Sequence, residues 1–533
     1  MSATAIQEAS PHPHYALHPD GTRVERFADL LRRRAAATPD LPAVLEPGKT
    51  TTFGQLEARA ARVARALRAD GVGPGDRVAY IGVNSAAFLE VLHGTAKVGA
   101  IATAVNNRLH PREVSRILAD AEPSVVVFGA GDGGLAPEPG AVASLKRIVT
   151  ADGTPGSTRY EEWLAAAPDG GDPGHAADPE DTALIFYTSG TTGLPKGIML
   201  SGRNLGQALA TMHYGIELDT TSVAMAPIPY FHVSGFGLAM VALVNGAALL
   251  LEQAADAESL RDLLIARRVS HAALVPTLIQ RLIALPGVED EDWSALKYVV
   301  YGASPIPLPV IHEATRKIGC KFLQSYGLTE STGGVTMLSP DDHLPAPGQE
   351  RRLLSAGRAM LGVPIQVVDP KTLEELPVGE RGEVVIGGGH VMQGYWRRPD
   401  VTAEALLPDG RLRTGDGGSF DADGFLYLHD RLKDMIVSGG ENVYPAEVES
   451  VLTEHPSVLE AAVIGVPSER WGETPYAIVV RREGAALEER ELIAFARDRL
   501  AHFKCPSGVA FTDVLPRNAS GKLLKNRLRE SYR

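Results

Sequence analysis

Five hydroxyl groups, three glycines and one lysine fall within the segment Tyr187-Thr-Ser-Gly-Thr-Thr-Gly-Leu-Pro-Lys-Gly197, directly after an apolar run at 183–186. The backbone N–H groups of such a loop, its hydroxyls and its single cation together suit a polyphosphate. A Walker-type loop needs Ser or Thr directly after the lysine to hold Mg2+. Gly197 stands there, which argues against the P-loop NTPase class. Three further segments carry charge or an aromatic face. Ser325-Tyr-Gly-Leu-Thr-Glu330 joins a tyrosine to a carboxylate, although Tyr326 alone reads equally well as a core aromatic and Glu330 as an acid favoured at a helix N-terminus. Thr414-Gly-Asp416 precedes Asp430-Arg431, and an aspartate there can accept from paired hydroxyls. Pro516-Arg-Asn-Ala-Ser-Gly-Lys522 puts a lysine close to the C-terminus.

Taken in order, these four segments resemble the motifs of the adenylate-forming superfamily: acyl-CoA synthetases, luciferases and peptide-synthetase adenylation domains. The resemblance spans about Phe27 to Arg529 and is strongest to bacterial fatty-acid CoA ligases. It implies that Thr188, Ser189, Gly190, Thr191, Thr192, Gly193 and Lys196 hold the phosphates of ATP. Gly302, Ala303 and Ser304 would line the adenine and acyl sites, beside the motif residues Ser325 and Gly327. Tyr326 would stack on the adenine, Thr329 contact phosphate and Glu330 bind Mg2+. Asp416 would grip the ribose hydroxyls, with Arg431 assisting, and Lys522 would be the catalytic cation. Asn518 departs from the threonine often found in the last motif, without a change of charge.

Substrate class rests on Tyr230-Phe-His-Val-Ser-Gly235. Amino-acid-activating relatives commonly carry an aspartate after the phenylalanine, to bind the amino group; His232 stands in that place here. The surround, Phe236 to Val244 with Ala303 and Ile306, offers no fixed cation for a second carboxylate. His232, Phe236, Gly302 and Ala303 are therefore expected around an apolar monocarboxylic acid, with a medium- or long-chain fatty acid ahead of an aromatic one. The expected activity is an ATP-dependent acid–thiol ligase that forms acyl-AMP, releases pyrophosphate and transfers the acyl group to coenzyme A. ATP, Mg2+ and coenzyme A are the expected cofactors. Alternatives are loading of a carrier-protein phosphopantetheine and an aryl-acid CoA ligase; a luciferase-like oxygenase has no specific support. By resemblance a hinge at Asp430 rotates a lid, bringing Ser438, Gly439, Gly440 and Glu441 to the site, where adjacent glycines allow close approach to a pantetheine arm.

Elements must exist to position these residues. From Phe27 to Phe128 helical spacing, as at Leu56, Ala60, Val63, Ala64 and Leu67, alternates with short β-rich runs such as Val78–Val83, which argues for parallel sheet covered by helices. Residues 129–179, rich in Gly, Pro, Ala and Asp, read as surface connections. Residues 235–251 read as a buried helix, an Asn245-Gly246 stop and a strand, since the run is shorter than the ~20 residues of a membrane span. The expected fold is α/β: a large N-terminal domain (24–429) of two helix-covered α/β sheets, with a β-rich subdomain at about 364–429. A small mobile α+β lid domain (430–533) follows, and residues 1–23 form a mobile lead-in without signal-peptide layout.

A length of 533 residues requires two or more domains at roughly 100–200 residues each. The formal charge of −13 carries no basic excess, which disfavours nucleic acid as a partner. Cys320 and Cys505 are the two cysteines and match no disulfide or zinc spacing, so a cytoplasmic setting is expected. The expected partners are the small-molecule acid, ATP and CoA, with an acyl carrier protein as the alternative, and the expected assembly is a monomer or homodimer.

Overall fold

Alternating helix and strand signals resolve into two large sheets in the computed structural model. It describes residues 27–138, 140–188, 195–213, 215–304, 306–431, 434, 436–438, 441–443, 445–468, 471–500, 502–517 and 523–532. An eight-stranded sheet runs, edge to edge, through Gly394–Tyr395, Lys196–Ser201, Thr182–Thr188, Ile101–Val105, Arg77–Ile81, Val125–Phe128, Arg147–Thr150 and Thr158–Arg159. A nine-stranded sheet has a parallel centre of Val223–Met225, His271–Leu274, Tyr298–Gly302 and Lys321–Leu328, with Gly333–Leu338 antiparallel to the last. Parallel strands need crossovers, and helices supply them. The helix Phe53–Ala69 buries Leu56, Ala60, Val63, Ala64 and Leu67 completely and begins at a capping box made by Thr52 and Gln55.

The apolar run at 235–251 divides as expected. The helix Val233–Asn245 packs on the nine-stranded sheet, Gly246 caps it at φ 79°, and Ala248–Leu250 is a strand. Residues 129–179 differ from expectation. They add the strands Arg147–Thr150 and Thr158–Arg159 to the sheet edge, followed by the helix Tyr160–Ala165. Long-range polar contacts hold this segment where its own sequence pattern is weak. Asp70 accepts from Arg147 and from the indole N–H of Trp163. Further on, Asp172 accepts from the fully buried Lys97 at 2.7 Å and from Arg32, while Glu57 takes Lys97 at 2.5 Å. Burial raises the Asp172 carboxyl, but Arg32, Lys97 and the Gly174 N–H outweigh it and hold it well below the ordinary range.

After Pro364 the four-stranded antiparallel sheet of Ile365–Val368, Gly382–Ile386, Leu412–Phe420 and Leu426–Arg431 forms the β-rich subdomain. Asp430 is in its last strand. The final block has its own sheet, centred on Val458–Ser468 and Gly472–Arg481, and its own core around Val448, Leu452, Val463, Val479 and Leu492. Residues 1–23 lie outside the described residues. No helix among the described residues is long and apolar enough to cross a membrane.

Three buried histidines make the fold acid-sensitive. Burial, with the charge of Lys97 adding, lowers His93 to about 3; burial lowers His271 and His390 to about 4. Neither ring nitrogen of His93 or His390 has a hydrogen-bond partner among the described residues. Below the usual imidazole value of 6.5 the unfolded chain binds protons that the folded chain refuses, so stability falls with pH from there down toward about 4. The urea midpoint should drop between pH 7 and pH 5; a flat profile would contradict this.

Candidate active site

The ends of two adjacent parallel strands carry the residues expected on the adenine side. Gly302 and Ser325 are cross-strand partners, and a Cβ on Gly302 would lie 2.3 Å from the Ser325 carbonyl oxygen. Beyond it the chain turns sharply at Ala303, at φ 65° in the left-handed region. Ser325 to Leu328 form the end of the strand Lys321–Leu328, with a bulge between Tyr326 and Gly327. There a Cβ on Gly327 would lie 1.7 Å from the Gly333 carbonyl oxygen, so only glycine fits. The Ser325 hydroxyl donates to the Thr336 carbonyl at 3.1 Å.

Tyr326 reaches across to the β-rich subdomain, where its hydroxyl donates to Asp416 Oδ2 at 2.8 Å. Asp416 stands on a bulge of the strand Leu412–Phe420, fixed by short bonds from its neighbours. Thr414 donates to the Val384 carbonyl at 2.6 Å and accepts from the Asp416 N–H at 3.0 Å. Gly415 N–H donates to Glu383, which also takes Arg413. Arg431 is the ladder partner of Asp416. Two segments far apart in sequence thus form one surface.

On the phosphate side, Thr188 and Lys196 pair across the antiparallel strands Thr182–Thr188 and Lys196–Ser201 and bracket the loop. Ser189, Gly190, Thr191, Thr192 and Gly193 lie outside the described residues. The Tyr187 hydroxyl, counted among the loop's donors, is instead committed to Asp120 at 2.7 Å. Asp120 also takes Arg398 at 2.8 Å, and its carbonyl takes the indole of Trp396 at 3.1 Å.

Glu330 occupies the tight turn Thr329–Ser331, closed by Ser331 bonding to the Leu328 N–H and to the Gly333 carbonyl. Its Oε1 accepts from the Tyr395 hydroxyl at 2.9 Å, and Lys196 Nζ lies 5.2 Å from the centre of the same ring. The described residues contain no cluster of three or more metal-ligating side chains. Mg2+ commonly uses one or two carboxylates and completes its shell with phosphates and water, so a single glutamate beside a phosphate loop fits it. When bound, such an ion supplies positive charge against the phosphates.

Around the expected acyl site, His232 caps the helix Val233–Asn245 without a side-chain cap bond, and its ring lies 4.7 Å from that of Phe231. Burial, assisted by the charge of Arg108, lowers it to about 4, so it is neutral at pH 7. Phe236, expected on the acyl pocket, is 3% exposed and packs against Phe27 and Phe186; that is a core position. Ser438 is buried in a ladder with Glu441, and Gly439, Gly440 and Lys522 lie outside the described residues. The flanks of Lys522 are tied: Leu524 N–H donates to the Pro516 carbonyl at 2.8 Å and Arg517 bridges Leu523.

Residues 31–396 match the AMP-binding enzyme family and residues 447–522 match the AMP-binding enzyme C-terminal domain. The chain belongs to this adenylate-forming family. It is 38% identical to a fatty acid–[acyl-carrier-protein] ligase of Streptomyces coeruleorubidus, covering 93% of this chain and 94% of that one. A feruloyl-CoA synthase of Amycolatopsis sp is 37% identical over 94% of this chain and 98% of its own length. A solved Mycobacterium tuberculosis fatty acyl CoA synthetase superposes with TM-score 0.75 at 35% identity, covering 95% of this chain and 98% of that one. Membership establishes an acyl-CoA synthetase-type ligase on the fold described.

Two side chains that tie this adenylate-forming enzyme's segments together gave no sequence signal. Tyr395 lies outside every chemical motif. Asn84 looks like an ordinary turn residue, yet it donates to the carbonyls of Ala226 and Ile228 and accepts from the Tyr230 N–H at 2.8 Å, fixing the loop before His232. At roughly 1 kcal/mol per bond, Asn84→Ala should cost about 3 kcal/mol in urea unfolding; a loss within error of zero would remove Asn84 from this role.

Proposed function

We propose that the chain activates a medium- or long-chain fatty acid as its acyl-adenylate and passes the acyl group to coenzyme A. The observation that carries the reading is the bond from Tyr326 to Asp416, which puts an aromatic face and a ribose-type acceptor on one surface, with Glu330 only a tight turn beyond Tyr326. Nucleotide chemistry needs that pair together.

In the first step a carboxylate oxygen of the acid attacks the α-phosphorus of ATP. An acyl O–P bond forms as the bond to the β-phosphate oxygen breaks, and pyrophosphate leaves with its electron pair. Both reactants are anions, so the site must offset their repulsion and hold them in line. Lys196 serves the departing phosphates, and Glu330 would hold the divalent cation. Lys522 bridges the carboxylate and the α-phosphate. In the second step the CoA thiolate attacks the acyl carbon and AMP leaves; the lid segment from Ser438 to Glu441 faces the pantetheine arm after rotation about Asp430.

The neutral, buried His232 favours an apolar acid over an amino acid, because it offers no negative charge to an ammonium group. A second reading, transfer to a carrier-protein phosphopantetheine, is favoured by the likeness to the Streptomyces carrier-protein ligase.

Pyrophosphate release measured across fatty and aryl acids, with CoA, with a holo-carrier protein and with neither thiol, decides among these. Release should depend on an aliphatic acid, and acyl-CoA should form without a carrier; thioester only on the carrier would select the second reading, and no response to any acid would sink both. Lys522→Ala should slow acyl-adenylate formation by about 100-fold or more while ATP affinity changes little. An unimpaired adenylation rate in that variant would remove Lys522 from catalysis.

A further inference from the structure

Tyr395 is the one side chain described as touching both Glu330 and Lys196. It stands at the edge of the eight-stranded sheet, where Gly394 and Tyr395 pair with Met199 and Ile198, just beyond Lys196 on the phosphate-side strand. Its backbone is held as well: the Tyr395 N–H donates to Thr402 Oγ1 at 2.9 Å, and Met392 N–H donates to the Glu330 carbonyl at 2.8 Å. With the residue 9% exposed, water competes little for the phenol bond. A glutamate carboxylate turns about a broad, two-fold terminal torsion, so a fixed donor on one oxygen selects its orientation. The other oxygen, Oε2, has no hydrogen-bond partner among the described residues.

We propose that Tyr395 is a positioning residue: its hydroxyl orients Glu330 so that Oε2 meets a divalent cation, while its ring carries the Lys196 ammonium beside it. The proposal rests on the reading of Glu330 as the metal carboxylate. Groups that hydrogen-bond a ligating carboxylate typically change metal affinity by about 10- to 100-fold when removed. Tyr395→Phe removes the hydroxyl and keeps the ring, so it isolates that contribution.

The experiment compares the unsubstituted 533-residue chain, Tyr395→Phe, Glu330→Gln and the double variant. Free Mn2+ is measured by electron paramagnetic resonance during titration in the presence of α,β-methylene-ATP, which cannot be cleaved at the reacting bond. Melting midpoints and the KM for the acid are read alongside. Tyr395→Phe should weaken Mn2+ binding by about tenfold, with midpoint and acid KM unchanged. Added to Glu330→Gln, it should weaken binding by less than about twofold, because its effect acts through that carboxylate. Wild-type Mn2+ affinity in Tyr395→Phe, or an equal loss in both backgrounds, would overturn the proposal. If Glu330→Gln alone left Mn2+ affinity unchanged, the reading of Glu330 would fail and the proposal with it.

Discussion

Backbone meets backbone without room for a side chain where Tyr298–Gly302, Lys321–Leu328 and Gly333–Leu338 run together, and the site is arranged around that approach. At Gly327 a single added carbon would overlap the Gly333 carbonyl. At that approach the strand bulges between Tyr326 and Gly327, and the Tyr326 hydroxyl reaches Asp416 in the β-rich subdomain. The same approach tightens the turn that follows, and Glu330 emerges from it with a fixed backbone. Glycine here permits a distance that no other residue would allow.

Polar tethers then connect parts that hydrophobic packing alone would leave free to slide. Asp120 gathers Tyr187, Arg398 and Trp396, drawing the phosphate-side strands and the segment after Tyr395 into one unit. Asn84, from the loop after a strand of one large sheet, fixes the loop that enters a helix packed on the other. Asn204 donates to the carbonyls of Gly389 and Val391, and Thr332 donates to that of His390, so the chain entering Tyr395 is anchored from two sides. Each bond is modest, but a buried backbone carbonyl left without a donor is costly.

Carboxylates outnumber cations in this chain of net −13. Lys97 is wholly buried among carboxylates and does structural service, closing residues 169–175 onto the helices. Lys196 is the contrasting case: it begins the strand Lys196–Ser201 and lies over an aromatic face. The run of glycines and hydroxyls before Lys196 marks it in the sequence, whereas the carboxylates that bury Lys97 come from distant segments.

Local pattern alone determined most elements, because helix periodicity, caps and apolar runs act over a few residues. The helix Phe53–Ala69, the strand Ile101–Val105 and the stop at Gly246 are all legible in this way. The family was legible because its motifs set particular residue types at short spacing, as in the segments around Lys196, Tyr326 and Asp416. Residues 147–165 were not, since the bonds that order them come from Asp70, far back in the chain. Nor were the direction of the Tyr187 hydroxyl, the core position of Phe236, or the bonds made by Asn84 and Tyr395. Those depend on which strands lie side by side, and strand order is decided by packing among distant segments rather than by any local run of sequence.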